Sequence, residues 1–223
     1  MALSTLYKTR IAGVASAVPK EIISNSDYTV ISPEQREKII KYTGIQYRRW
    51  ARREVCCSDL CFAAAEKLLS ELGWNRDEIG AIIFVTQTPD YPYPASAQIL
   101  QDRLKLPESC IAYDINLGCS GYTYGLFLLG TLLESSGIRK GLLLAGDASK
   151  TMGDNDPASA ILFGHAASAT AMEFSPDYHN PLYFEMGSDG TGYRVICVPW
   201  GGCRHPLEAK TFERQELEGG GAR

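Results

Sequence analysis

The sequence predicts an α/β fold, with a sheet covered by helices on both faces, on three observations. The β-branched apolar run at Ile79 to Thr86 and the segment Cys110 to Asn116 read as buried strands, and Lys140 to Ala145 reads as a strand. Helical segments with recognisable start and stop signals lie before and between them. The resulting order, β-α-β-α-β through residue 145, is the pattern of a parallel or mixed α/β sheet covered by helices on both faces.

Each element has its own local reason. Tyr7 to Val18 alternates apolar and polar residues and stops at Pro19, as a strand does. Ser32 followed by Pro33 starts a helix, Ser as the cap and Pro in the first turn, and Gly44 ends it. Ser58 is expected to cap a second helix, in which Leu60, Ala64, Leu68 and Leu72 share one face until Gly73. The run IGAIIFVT is apolar on both faces, and Pro89, Pro92 and Pro94 stiffen the loop after it. A third helix is expected from about Ser96 to Leu104. Cys119 to Ser136 is apolar almost all round and predicts an interior helix. Beyond Gly153 the helical signal fades, and short strands are expected at Ala166 to Phe174, Leu182 to Met186 and Val195 to Pro199. The tail from Glu208 to Arg223 is charged and then Gly-rich, and reads as a connection. No internal repeat and no linker divides the chain.

Composition narrows the function classes. With 223 residues, 45% of them hydrophobic, and 22 Lys+Arg against 26 Asp+Glu for a net charge of −4, the chain is that of a folded soluble protein. Disorder, collagen and coiled coil are excluded, and the slight acidity argues against nucleic acid or an anionic membrane as main partner. No apolar run reaches the roughly 18 residues of a bilayer span, and Lys8 and Arg10 stand where a signal peptide would be apolar. Seven cysteines, an odd number without dense spacing, fit a reducing cytoplasmic location. Cys56, Cys57 and Cys61 lie close together, but no histidine is near and no CxxC occurs, so neither a metal nor a cofactor is expected.

The segment Asp114-Ile-Asn-Leu-Gly-Cys119-Ser-Gly121 carries the chemistry. It puts a cysteine between a buried strand and a buried helix, the thiol analogue of a nucleophile elbow. Gly118 and Gly121 permit a sharp turn and close approach of backbone, while the free N–H groups and positive end of the helix favour a thiolate. A free thiol titrates near ~8.5, and such a setting lowers that value. The alternative reading is a small apolar core residue, common for free cysteine. Cys110, Cys197 and Cys203 read as packing residues.

A base for this thiol is not evident. His165 follows Phe163-Gly164 at a turn into a strand, where it either faces a pocket or serves a hydrogen-bonded structural role; His179 and His205 lie in loops. Arg48, Arg49, Arg52 and Arg53 around Trp50 read as an exposed strand edge and a solvated loop, with an acidic partner as the alternative. Gly187-Ser-Asp-Gly-Thr-Gly192 lacks the Lys-Ser/Thr of a phosphate loop and reads as a turn.

Taken in order along the chain, several motifs resemble the ketoacyl-ACP synthase III family of thiolase-fold condensing enzymes. They are Thr43-Gly44-Ile45 with the arginines after it, Tyr93-Pro94-Ala95, Asp114 followed by Cys119-Ser-Gly-Tyr-Thr-Tyr-Gly-Leu126, Gly146-Asp147, Phe163-Gly164 and Gly187-Ser-Asp-Gly190. The resemblance implies a thiolase-like fold, here the N-terminal βαβαβ half and the start of the second half, as one domain over residues 1–223. It implies that Cys119 is the catalytic residue, taking an acyl group from a thioester before decarboxylative Claisen condensation with malonyl-ACP. Tyr93 and Thr43 are the substrate-binding residues by the same likeness, Tyr93 reaching over the acyl pocket of a homodimer partner.

Two departures accompany the resemblance. The chain matches roughly the N-terminal two-thirds of a family member and lacks the His and Asn that stabilise the enolate, so condensation is expected to fail in this polypeptide alone. Where the family grips coenzyme A with Trp, Arg and Arg, this chain has Lys38, Tyr42 and Pro157, which disfavours acyl-CoA and favours the phosphopantetheine thioester of acyl carrier protein. His165 stands where the family has Asp. An acyltransferase of the same fold without decarboxylation, and a non-catalytic truncated subunit, are the alternatives. With half the fold, an apolar face of the Cys119 helix is expected to be exposed, leading to aggregation or obligate dimerisation.

Overall fold

Strands without a polar face must be covered twice, and this requirement organises the molecule. The computed structural model describes residues 2–149 and 160–208, which divide into two units, 2–185 and 186–208. The first unit contains, in order, β1 (Ala2–Leu6), β2 (Thr9–Ala17), β3 (Glu21–Ser24), α1 (Pro33–Thr43), β4 (Tyr47–Trp50), α2 (Cys57–Leu72) and β5 (Ile79–Val85). There follow α3 (Ser96–Arg103), β6 (Ile111–Ile115), α4 (Gly121–Ser135), β7 (Lys140–Asp147), β8 (Ala166–Phe174) and β9 (Leu182–Met186).

The main sheet has five strands in the order β2-β8-β7-β5-β6. β5 is parallel to both β6 and β7, while β8 is antiparallel to β7 and β2. Successive residues of a strand point to opposite faces, so Ile82 and Phe84 of β5 join Leu142 and Leu144 of β7 in one core. Ala81, Ile83, Val85 and Leu143 join the other. Helices α2 and α3 cover the first face and α4 covers the second. The β5-α3-β6 and β6-α4-β7 connections run in opposite directions across the sheet, so their helices lie on opposite faces. β1 pairs with β9, and β3 with β4, as two small accessory sheets.

Local signals set the helix ends. Ser32 accepts from the Gln35 amide at 3.2 Å, and Gln35 returns the bond to Ser32 N–H, while Gly44 closes α1 in the left-handed region with φ 74°. Gly73 does the same for α2 with φ 62°. α2, however, begins before Ser58: Cys56 is its cap residue, and the Asp59 carboxylate accepts from the Cys56 N–H at 2.8 Å. Ser58 is buried, and its hydroxyl donates to Asp90 at 2.7 Å instead. A carboxylate on the third helical residue outcompetes a hydroxyl two positions into the helix.

Three other expectations are corrected. α4 is not interior: Gly121, Gly125, Leu129 and Leu133 face the sheet, whereas Leu128 is 37% exposed and Thr131 is exposed. Its buried stripe has the four-residue spacing of a helix covered on one side. β6 is an edge strand, not a doubly buried one, with Ile111 open to solvent. Val195 to Pro199 forms no strand; within 186–208 the described β-pairing is the Gly202–His205 bridge, and Val195, Ile196 and Val198 are exposed. Backbone without a pairing strand stays irregular and solvated. The Gly187–Gly192 segment is a turn, in which Asp189 accepts from the Thr191 amide and hydroxyl. Among the described residues no helix is long and apolar enough to cross a membrane. Pro157 and the tail after Glu208 lie outside the described residues.

Candidate active site

The parallel strands β5, β6 and β7 all end on one edge of the sheet, the place where open α/β sheets gather ligands. Cys119 stands there, in the turn between β6 and α4. Two backbone bonds close the turn: Gly121 N–H donates to Gly118 O at 2.8 Å, and Tyr124 N–H donates to Ser120 O at 3.2 Å. The thiol is exposed. The packing reading of Cys119 is therefore wrong.

The adjacent glycines are needed for closeness, since neither has positive φ. A Cβ on Gly121 would come 2.5 Å from Val85 Cγ1, and one on Gly125 the same distance from Leu143 Cδ1. Their absence lets the head of α4 settle onto the end of β5, so that Cys119 sits over the sheet edge and outside the core. A strained elbow is not part of this geometry.

The loop from Thr86 to Ala95 borders the turn, and three carboxylates hold it. Asp147, at the end of β7, accepts through Oδ1 from Thr86 Oγ1 at 3.0 Å, Gln87 N–H at 2.8 Å and Thr88 Oγ1 at 3.0 Å. Asp114 of β6 accepts from the Ser96 and Ala97 amides at 2.7 and 2.8 Å, satisfying the first N–H groups of α3. Asp90 receives the Ser58 hydroxyl, and its own N–H donates to Ser96 Oγ at 3.0 Å. Tyr93, on this fixed loop, is 86% exposed. Asp114 and Asp147 carry no sequence-level signal beyond an acidic residue at or near the end of an apolar strand.

Thr43 is placed differently. Its hydroxyl donates to Ile39 O at 2.7 Å and accepts from Ile45 N–H at 3.3 Å, finishing α1. Lys38 and Tyr42 are exposed on the same helix.

Burial separates the other thiols. Cys57, Cys61 and Cys110 are buried, whereas Cys197 and Cys203, expected to pack, are exposed. The hydrogen bond with Cys57, burial, and the charges of Asp147 and Asp90 hold the Cys61 thiol well above its usual range. Burial pushes Cys110 up to about 11. A limiting dose of iodoacetamide at pH 8 is expected to label Cys119, Cys197 and Cys203 well before Cys57, Cys61 and Cys110. Peptide mass mapping reads this order, and equal labelling of Cys61 and Cys119 would contradict it.

His165 has a structural post. It is buried, its ring stacks on Trp50 at 4.1 Å between centroids, and Nδ1 accepts from Ala51 N–H at 2.9 Å. Arg48 is likewise not on an exposed edge. Only 7% exposed, its guanidinium donates to Asn25 Oδ1 at 2.6 Å, Ala160 O at 2.7 Å and Phe163 O at 3.0 Å. Burial draws its pKa down and Tyr28 opposes that shift. His179 and His205 are exposed. No group of three or more metal-ligating side chains occurs among the described residues.

Comparison with known proteins agrees with this geometry. The 3-oxoacyl-[acyl-carrier-protein] synthase III family matches residues 113–190, which include the Cys119 turn, α4 and β7. A putative 3-oxoacyl-[acyl-carrier-protein] synthase 3 of Campylobacter jejuni is 35% identical over 215 residues, covering 94% of this chain and 60% of that protein. The beta-ketoacyl-[acyl-carrier-protein] synthase III of Chlamydia caviae is 34% identical, covering 95% of this chain and 63% of the relative. The crystal structure of a 3-oxoacyl-(acyl-carrier protein) synthase from Burkholderia xenovorans LB400 superposes with a TM-score of 0.88 at 41% identity, covering 95% of this chain and 61% of that one. The fold is thiolase-like, shared also with Xanthomonas campestris OleA at a TM-score of 0.67 and 21% identity. Over the shared residues, which span about three-fifths of its relatives' length, the chain is similar to members of the 3-oxoacyl-[acyl-carrier-protein] synthase III family.

Proposed function

We propose that this chain is the acyl-accepting part of a 3-oxoacyl-ACP synthase III-type condensing enzyme, with Cys119 as its nucleophile. The observation that carries the reading is an exposed thiol at the strand-end edge of a parallel sheet, directly before α4, inside the segment that matches the family. The Cys119 thiolate attacks the carbonyl carbon of an acyl thioester. A C–S bond forms to Cys119, the bond to the leaving sulfur breaks, and that thiolate takes up the proton which Cys119 gave to solvent. In the complete enzyme the acyl group then passes to the carbanion released from malonyl-ACP as carbon dioxide departs.

Acyl carrier protein is the proposed partner, in fatty-acid or polyketide synthesis in the cytoplasm. Lys38 and Tyr42 replace the residues with which the family grips coenzyme A, which favours a carrier-bound acyl group. A homodimer is proposed, supported by the open edge of β6 and by Tyr93 projecting from a braced loop. Thr43 is proposed as a second substrate contact, at the end of α1.

Incubation of the chain with an acyl thioester, followed by digestion and mass mapping, tests the reading. One acyl mass on the peptide holding Cys119 is the expected result. No adduct, or an adduct confined to another thiol, overturns it. Carbon dioxide release on adding malonyl-ACP to a complete enzyme with this N-terminal part separates condensation from acyl transfer alone.

A further inference from the structure

We propose that Gln87 is a substrate-contacting residue of the Cys119 site, and that Asp147 is the positioning residue that holds it there. The inference rests on the reading of Cys119 as an acylated thiol. Gln87 is the first exposed residue after β5, and its carboxamide lies against the backbone of Gly118. A Cβ built on Gly118 would stand 2.8 Å from Gln87 Oε1 and 3.4 Å from Nε2. The amide thus lies beside the residue that precedes the thiol.

Its backbone and side chain are used differently. The Gln87 N–H is tied to Asp147 Oδ1 at 2.8 Å, and the hydroxyls of its neighbours Thr86 and Thr88 donate to the same oxygen. Thr88 Oγ1 also accepts from Ala148 N–H at 3.0 Å, so the clamp closes on both sides of Asp147. The carboxamide itself has no hydrogen-bond partner among the described residues. It is a rigidly based group with two N–H donors and one acceptor oxygen left open beside Gly118, the residue that precedes Cys119. A thioester arriving at Cys119 brings a carbonyl oxygen that only accepts, and charge grows on it as sulfur attacks. A fixed N–H donor near that oxygen lowers the barrier without having to reorganise.

Asp147 acts through this loop and not on the substrate. Hydrogen bonds to a charged oxygen are about twice as strong as neutral ones, so an Asn at 147 loosens the base of Gln87 while keeping its volume.

The test compares the 223-residue chain with Q87L, D147N and the double variant. Two reagents are used on each: a short-chain acyl thioester of N-acetylcysteamine, and methyl methanethiosulfonate, which modifies the same thiol but has no carbonyl. Q87L is expected to slow acylation of Cys119 about 10-fold or more, as loss of one hydrogen bond to developing charge implies. Its methanethiosulfonate rate is expected to stay within about twofold of the parent, because that reaction needs no carbonyl contact. D147N slows acylation in the same selective way, and the double variant is no slower than Q87L, since both changes remove one interaction. Wild-type acylation in Q87L, equal slowing with both reagents, or multiplying effects in the double variant each overturn the proposal. If the parent chain takes no acyl group, the reading of Cys119 fails and this inference with it. If the parent acylates and Q87L matches it, this inference alone fails.

Discussion

Cys119→Ala is expected to remove the acyl adduct completely while leaving the fold intact. The thiol is exposed, and the turn is closed by the backbone bonds Gly121 to Gly118 and Tyr124 to Ser120, which a methyl side chain does not disturb. Stability should therefore stay within about 0.5 kcal/mol of the parent, as for other exposed positions. Cys119→Ser keeps the size and replaces a soft sulfur nucleophile with a hydroxyl that has no evident base, so acylation should fall at least roughly 100-fold. Intact mass after exposure to an acyl thioester measures both. An adduct that survives in Cys119→Ala would move the chemistry to another thiol, with exposed Cys197 and Cys203 the first to map.

The largest loss of stability is expected at Arg48. Its guanidinium donates to Asn25 Oδ1 and to the carbonyls of Ala160 and Phe163, and it lies 5.8 Å from the Tyr28 ring centroid and 5.6 Å from that of Trp50. Asn25 continues the network, its amide donating to Ile45 O at 2.8 Å and Ile161 O at 3.0 Å. One buried cation thus ties β4, the turn at Asn25 and the 160–163 segment together. Arg48→Ala strands several buried acceptors and opens a cavity, a cost of about 3–5 kcal/mol. For a chain of this size that corresponds to a fall in Tm of roughly 10 °C. Arg48→Lys retains the charge but cannot fork to three acceptors, and should lose about half as much. Thermal and urea unfolding of the three proteins decide it, and a loss under about 1 kcal/mol in Arg48→Ala would show that water replaces the guanidinium at little cost.

Much of the fold was legible because its signals are local. Ser32, Pro33, Gln35 and Gly44 define α1 among themselves, and the unbroken apolar run at Ile79 to Val85 could only be a strand covered on both faces. Ala166–Phe174 and Leu182–Met186 declared themselves in the same way. β1 and β3 did not, because they are short and depend on β9 and β4 for their hydrogen bonds. Ser58 looked like a cap, but Asp59 accepts from the Cys56 N–H at the helix start, and the Ser58 hydroxyl goes to Asp90. Arg48 looked solvated because its partners are carbonyls and an amide, which no charge pattern reveals.

The candidate site divides in the same manner. Cys119 between glycines, at the passage from strand to helix, is a property of consecutive residues, and the sequence by itself determined both the thiol and the α/β frame around it. Only the tertiary structure decided that the thiol is open to solvent, that α4 is covered on one side, and that Gln87 and Asp147 stand beside the turn. The physical reason is that burial and hydrogen bonding between residues sixty positions apart, such as Gln87 and Asp147, come from strand order and close packing at glycine, and neither is written in any stretch of neighbouring residues.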